Sequence, residues 1–270
     1  MANGFQLAGR TAAITGAGGG IGRALCRSIA LAGARALVAI DKDSNSLAET
    51  AVVCRDVAPQ CAITEISCDV SNGRELRACL HAADPIDLFC ANAGALTTGD
   101  ASAPDGDWQH AWEVNVMQLA WGAQVLVPRM KERGGGALMV MASAAGVLTQ
   151  LGSAPYTATK HAAVGLAEWL AISHWDDNIV VCCVCPQGVR TAMATNMLAS
   201  ETDRATRAAV LDGMLEPDEV ADEALCSLQQ GHFLCMPGGD RGAGRHVERK
   251  GSDRERWLEG MRRLQAKLRG

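Results

Sequence analysis

Tyr156 and Lys160 stand four residues apart in a stretch of helical character, which places them on one face about one turn from each other. A free phenol titrates at about pH 10 and is a poor base at neutral pH, but an adjacent ammonium stabilises the phenolate and lowers that value. The pair could therefore exchange a proton with a substrate. Tyr156 is the only tyrosine in the chain, so no other phenol competes for the role. Ser143 closes a strand-like run, where its hydroxyl could hydrogen-bond a substrate oxygen and hold it near the phenol. Taken alone it reads equally well as a small polar residue leaving a strand. No G-x-S-x-G pattern surrounds it, which argues against a hydrolase nucleophile.

A second constellation lies near the N-terminus. Residues 15–22 read T-G-A-G-G-G-I-G, directly after a strand-like run and at the opening of a helix-like one. Glycine lets the backbone turn sharply and approach a pyrophosphate with no Cβ in the way, while free N–H groups at the helix start face the anion. Gly16, Gly20 and Gly22 are the candidates for this work. The spacing departs from G-x-G-x-x-G, and a glycine turn alone is weak. Asp41 sharpens it, because it follows the second strand-like run about 20 residues on, where a carboxylate accepts bonds from the adenosine ribose and repels a 2'-phosphate. NAD is thus expected over NADP, although Lys42 adjoins Asp41. Asp69 and Val70, after the third run, could bracket adenine, or Asp69 could be an ordinary turn residue.

Taken in order, several motifs resemble those of the short-chain dehydrogenase/reductase family over about residues 7–236: Thr15-Gly16-x-x-x-Gly20-Ile21-Gly22, Asp69-Val70, Asn92-Ala93-Gly94, Asn115, Ser143, Tyr156-x-x-x-Lys160, and Pro186 with Val189 and Thr191. The resemblance implies a catalytic set of Ser143, Tyr156 and Lys160, with Asn115 holding a proton-relay water. It also implies that Asn92, Ala93 and Gly94 support the central strand beside the cofactor. Lys160 would bind the nicotinamide ribose, and Val189 and Thr191 the carboxamide. Two positions depart from the family pattern. Gln187 replaces the usual glycine after Pro186, and Ala91 replaces the first asparagine of N-N-A-G.

These residues need a scaffold, and the chain supplies one. Short β-rich runs at 11–15, 36–40, 62–67, 86–90, 137–141, 179–185 and 233–236 alternate with amphipathic segments, the pattern of repeated βαβ units. That predicts an α/β, Rossmann-like, seven-stranded parallel sheet covered on both faces by helices, with helices expected over 21–32, 107–133, 155–173 and 218–230. Residues 1–236 form one domain in this reading. Residues 237–270 form a basic helical extension, with ten Lys and Arg against four Asp and Glu from Arg241 onward. Its Trp257, Met261, Leu264 and Leu268 recur at helical spacing, which favours docking on the domain or a neighbouring subunit over a nucleic-acid arm.

Hydrophobic residues make up 48% of the 270-residue chain and charged ones 20%, enough apolar material for one large core. No run approaches the length of a membrane span and the start lacks a secretory pattern, so a cytoplasmic protein with no membrane or nucleic-acid partner is expected. The eleven cysteines sit singly in apolar runs and read as reduced core residues. Cys182 and Cys185 form a C-x-x-C, but in a strand residues three apart face opposite ways, so neither redox nor metal chemistry is expected there. Leu96, Ala145, Gln150, Gln187, Met193, Met197 and Met214 are the candidate substrate contacts. Their small and apolar character points to an alicyclic or steroid-like alcohol or ketone, with core packing an equally good account of the methionines. The family resemblance implies a homotetramer or homodimer. A non-catalytic NAD(H)-sensing or scaffold protein on the same fold, or a related epimerase or dehydratase, stands as the alternative.

Overall fold

The computed structural model describes residues 4–199, 214–239 and 242–269. The seven β-rich runs become β1 (Thr11–Thr15), β2 (Ala36–Asp41), β3 (Ala62–Ser67), β4 (Leu88–Ala91), β5 (Gly136–Met141), β6 (Ile179–Val184) and β7 (Leu234–Cys235). They form one parallel sheet in the order β3-β2-β1-β4-β5-β6-β7. This is the doubly wound α/β sheet expected from the sequence. Every residue of β1, β4 and β5 is buried, which is why these strands read as unbroken apolar runs rather than alternating ones. The strand order reverses between β1 and β4, and ligands of open α/β sheets bind beyond the carboxyl ends of the strands at such a point.

Around the sheet run α1 (Gly20–Leu31), α2 (Ser44–Val57), α3 (Gly73–Ala82), α4 (Asp105–Trp112), α5 (Gln118–Glu132), α6 (Ala154–Ser173), α7 (Ala192–Ala199) and α8 (Pro217–Gln229). Leu25 and Ile29 of α1 pack with Val220 and Leu228 of α8 on one face. Leu80 of α3, Leu126 of α5 and Ala167 of α6 pack on the other. Cys182 belongs to the first of these cores and Cys185 to the second, so the C-x-x-C sulfurs lie on opposite sides of the sheet.

Three expectations need correction. The single helix over 107–133 is broken by a π-helical turn, Glu113–Met117, between α4 and α5. Such a turn accommodates one extra residue in the helix and is frequent at functional sites; here it contains Asn115. Next, α2 and α3 were not anticipated, because polar residues dilute their apolar faces. Their caps were nevertheless legible. Asp43 accepts from Asn45 N–H, and Asn72 accepts from the N–H groups of Arg74 and Glu75. Lastly, the fourth strand lies at Leu88–Ala91 rather than 86–90, and the last two strands end at Val184 and Cys235, because pairing with their neighbours spans only those residues.

The extension folds into α9 (Gly244–Ser252) and α10 (Arg254–Arg269). No helix among the described residues is long and apolar enough to cross a membrane.

Candidate active site

A cavity of about 470 Å3 opens beyond the carboxyl ends of the strands, at the reversal of strand order. At one end lies the glycine turn. Gly16 and Gly20 adopt φ of 64° and 52°, a region that other residues rarely enter. A Cβ on Gly22 would lie 1.9 Å from the Gly16 carbonyl oxygen, so only glycine lets α1 start this close to β1. Gly19 caps α1 without a side chain, leaving the helix start open toward the cavity that Gly19, Gly20 and Ile21 line.

Asp41, at the end of β2, accepts from Gly18 N–H at 2.9 Å and from Asp43 N–H at 3.1 Å while also lining the cavity. It both shapes the glycine turn and presents a carboxylate beside it. Asp69 and Val70 line the same end. Asp69 is also the turn residue it could have been, accepting from Ser71 N–H at 2.9 Å and Ser71 hydroxyl at 2.8 Å, bonds that hold its carboxyl below the ordinary range. Cys68, His110 and Val114 line the cavity too, and no sequence signal marked them.

Between the two ends, Asn92 donates to the Thr15 carbonyl at 2.8 Å, and the Thr15 hydroxyl accepts from the N–H groups of Asn92 and Ala93 at 2.9 and 3.0 Å. Thr15 in turn donates to Gln118 Oε1 at 2.8 Å. The ends of β1 and β4 are thereby tied, and Gly94 follows directly. Gln118 was missed, although a glutamine inside an apolar helical stretch is itself a signal. Asn115 is buried. Its Nδ2 donates to the Ala95 carbonyl at 2.9 Å and to Thr159 Oγ1 at 3.0 Å, and its Oδ1 accepts from Ala95 N–H at 2.9 Å. Gly94 lies beside both Asn115 and Lys160: a Cβ there would make ordinary van der Waals contact, 3.6 Å from Asn115 Oδ1 and from Lys160 Nζ.

Tyr156 and Lys160 lie in the first two turns of α6, and Ser143 follows β5. All three line the cavity. Ser143 accepts from Ala145 N–H at 3.1 Å, and its hydroxyl, toward the Tyr156 phenol, favours the phenolate. Lys160 is 3% exposed and donates to the Met141 carbonyl at 2.8 Å, with its ammonium 5.6 Å from the Tyr156 ring centre. Electrostatics correct one expectation. Burial pushes the Tyr156 phenol above its ordinary value, opposed by the Ser143 hydrogen bond and assisted by Cys185. Within the protein alone, the nearby ammonium does not reverse this.

Burial brings Lys160 down from 10.5 to about 8, against the opposite pull of Cys185 and Cys183. Between those two values the unfolded chain binds a proton that the folded chain lacks, so this group adds stability as pH rises from 8 toward 10.5 and nothing changes below 8. Each pH unit in the window is worth about 1.4 kcal/mol. We predict that urea unfolding of the wild type, measured against Lys160→Met, gains about 2 kcal/mol between pH 7 and pH 9.5. An unchanged difference would place the ammonium in a solvated site.

Of the expected substrate contacts, Leu96, Ala145, Gln150, Gln187 and Met193 line the cavity. Met214 does not; Leu215, beside it, pairs with the main chain of Gly188 and Arg190 under the loop that follows β6. The Met197 side chain lies outside the described residues. Pro186, Val189 and Thr191 border the cavity, and Thr191 lies against Gly20, its Cγ2 3.0 Å from where a Cβ would stand.

A glycine turn under a helix start, a carboxylate after the second strand and a Ser-Tyr-Lys cluster in one cavity define an α/β oxidoreductase of the nucleotide-dependent kind. Residues 10–202 match the family model described as short chain dehydrogenase, and the chain belongs to the short-chain dehydrogenase/reductase family. It is 28% identical over 240 residues to the 7alpha-hydroxysteroid dehydrogenase of Escherichia coli K12, covering 86% of this chain and 89% of that protein. It is 32% identical over 212 residues to the sex determination protein tasselseed-2 of Zea mays, covering 74% of this chain but only 61% of that protein's length.

Among solved structures, a short chain dehydrogenase/reductase from Burkholderia phymatum in complex with NAD superposes with a TM-score of 0.81 at 29% identity, covering 93% of this chain and 96% of the other. A short-chain dehydrogenase from Sphingobium yanoikuyae in complex with NADPH gives 0.74 at 25% identity, covering 84% and 87%. Nucleotide cofactors of both kinds thus occur on this fold.

Proposed function

We propose that the chain is an NAD(H)-dependent dehydrogenase that interconverts a secondary alcohol and a ketone on an apolar, alicyclic or steroid-like substrate. The observation that carries this reading is the meeting of the Ser143–Tyr156 hydroxyl pair and the buried Lys160 in the cavity that also holds the glycine turn and Asp41.

Gly16, Gly20, Ile21 and Gly22 would hold the pyrophosphate, Asp41 the adenosine ribose, and Asp69 with Val70 the adenine. Lys160 would hold the nicotinamide ribose, and Pro186, Val189 and Thr191 the carboxamide end. When bound, the nicotinamide supplies the hydride exchange and, oxidised, a positive charge that favours the phenolate. Ser143 holds the substrate oxygen beside Tyr156, and the phenol gives or takes its proton. Lys160 holds its positive charge next to that proton, and Asn115 with the space at Gly94 serves a relay toward solvent. The 7alpha-hydroxysteroid relative and the apolar walls at Leu96, Ala145 and Met193 support the substrate class.

Selectivity for NAD rests on Asp41. Asp41→Ser is expected to lower kcat/KM with NAD by about 10- to 100-fold, the worth of hydrogen bonds to a charged group, and to leave kcat/KM with NADP unchanged or raised. A panel of alcohols and ketones followed at the nicotinamide absorbance band with both cofactors tests this. Equal losses with both cofactors would mean that Asp41 acts only by shaping the turn.

A homodimer or homotetramer is part of the proposal. Trp169, Ile172 and Trp175, on and just beyond α6, are 58%, 73% and 57% exposed, and Trp112 of α4 is 47% exposed, an apolar surface suited to a second copy. Light scattering of the purified chain is expected to give a dimer or tetramer that Ile172→Asp dissociates. A monomeric wild type would refute it.

A further inference from the structure

Lys250, in the C-terminal helices, reaches the main chain of the loop that follows Ser143. After Ser143 the main chain makes a 3-10 turn, Ala144–Gly146, and then forms the wall that carries Gln150 before α6 begins. The N–H groups of Val147 and Leu148 both return to the Ala144 carbonyl, at 3.2 and 2.8 Å. Lys250 of α9 supplies donors to the carbonyls that point the other way, at 2.7 Å to Val147 O and 3.3 Å to Leu148 O.

The third direction of the ammonium is filled from α6. His161 Nε2 lies 3.5 Å from Lys250 Nζ, and His161 Nδ1 lies 2.9 Å from the Thr157 carbonyl. A carbonyl can only accept and an ammonium can only donate, so Nδ1 donates to Thr157 and Nε2 is the acceptor in its contact with Lys250. Three acceptors then meet three ammonium hydrogens. The ammonium also stands 5.2 Å from the ring centre of Trp257 in α10, which fixes its approach.

The far end of the same wall is tied separately. Thr157 Oγ1 accepts from Gln150 N–H at 3.0 Å and donates to the Gln150 carbonyl at 3.1 Å. Gly146 packs directly on the main chain of α6, where an added Cβ would lie 2.6 Å from the Lys160 carbonyl oxygen. The wall is therefore pinned to the helix of Tyr156 and Lys160 at one end and to the extension at the other.

We infer that Lys250 is a positioning residue for the substrate pocket, by which the C-terminal extension fixes residues 147–150 and so sets the fit of the alcohol or ketone. The inference rests on the dehydrogenase reading above. Lys250 touches no reacting atom; it acts through the main chain of the wall.

The test compares full-length wild type, Lys250→Met and Lys250→Arg. Methionine keeps an unbranched stem against Trp257 and removes the three donors, whereas arginine keeps donors. In Lys250→Met, hydrogen exchange of amides in residues 145–150 is expected to quicken about tenfold, the scale of one charged hydrogen bond, with exchange of the glycine turn unchanged. KM for the ketone should rise about tenfold, with kcat within about threefold and the NADH Kd within about twofold of wild type. Lys250→Arg should recover most of both effects.

Unchanged exchange in 145–150 would overturn the inference, because the wall would then hold itself. Faster exchange with unmoved KM and kcat would also overturn it, since the wall would not set substrate fit. A rise across all segments would reduce Lys250 to general stability. A wild type that binds NADH but turns over no alcohol or ketone would defeat the dehydrogenase reading, and with it the substrate half of this one, whereas the exchange result would still report whether Lys250 holds the wall.

Discussion

Tyr156→Phe is expected to lower turnover by about 10²- to 10⁴-fold, the usual contribution of a positioned acid–base group, while NADH binds within about twofold of wild type. The ring stays, so packing beside Lys160 is preserved; only the hydroxyl is lost. The chain has one tyrosine, so no second phenol can take over. Burial raises the Tyr156 phenol above its ordinary value, so in the protein alone it is a proton donor at neutral pH, the form needed to reduce a ketone. On the proposed reading, oxidation of the alcohol needs the phenolate, which the positive charge of a bound oxidised nicotinamide would favour. Tyrosinate absorbance should therefore titrate above the ordinary range in the free protein and fall when NAD is added. Near-normal turnover of the phenylalanine variant would remove Tyr156 from the chemistry.

Gly22→Ala is expected to weaken NADH binding by about 100-fold or more, because displacements of about 1 Å in a positioned site cost that much. The methyl group would lie 1.9 Å from the Gly16 carbonyl oxygen and 2.7 Å from Asn92 Nδ2. Backbone cannot swing aside as a long side chain can, so either the turn or the start of α1 must move. Asn92 holds both Thr15 and Gly16 carbonyls, so the displacement would also reach the ties between β1 and β4. Gly251→Ala, where a Cβ meets nothing within 4 Å, is the matched control and should bind NADH as wild type does. Fluorescence titration with NADH distinguishes the two. Equal affinities would show that the turn does not approach the cofactor.

Much of the site was legible because its parts are local. The pairing of Tyr156 with Lys160 needs only helical spacing, and the glycine turn needs only a strand before it and a helix after it. The sheet followed from alternation of apolar runs, since strands buried on both faces must be apolar throughout. Helices α2 and α3 are not legible from periodicity, because polar residues dilute their apolar faces, and only the caps Asp43 and Asn72 mark their starts. Met193 lines the cavity and Met214 does not, although one segment carries both. Leu215, the neighbour of Met214, instead pairs with the segment after Pro186.

By itself, then, the sequence determined the fold class, the spacing of Tyr156 and Lys160 and the glycine turn, because each depends on spacings of a few residues that the backbone converts directly into geometry. Tertiary structure alone decided the direction of the Tyr156 and Lys160 shifts, the π turn that carries Asn115 to Ala95 and Thr159, and the reach of Lys250 to Val147. The physical reason is common to all three. Burial, and hydrogen bonds between residues far apart in the chain, depend on which distant segments come to rest against one another, and no local spacing encodes that.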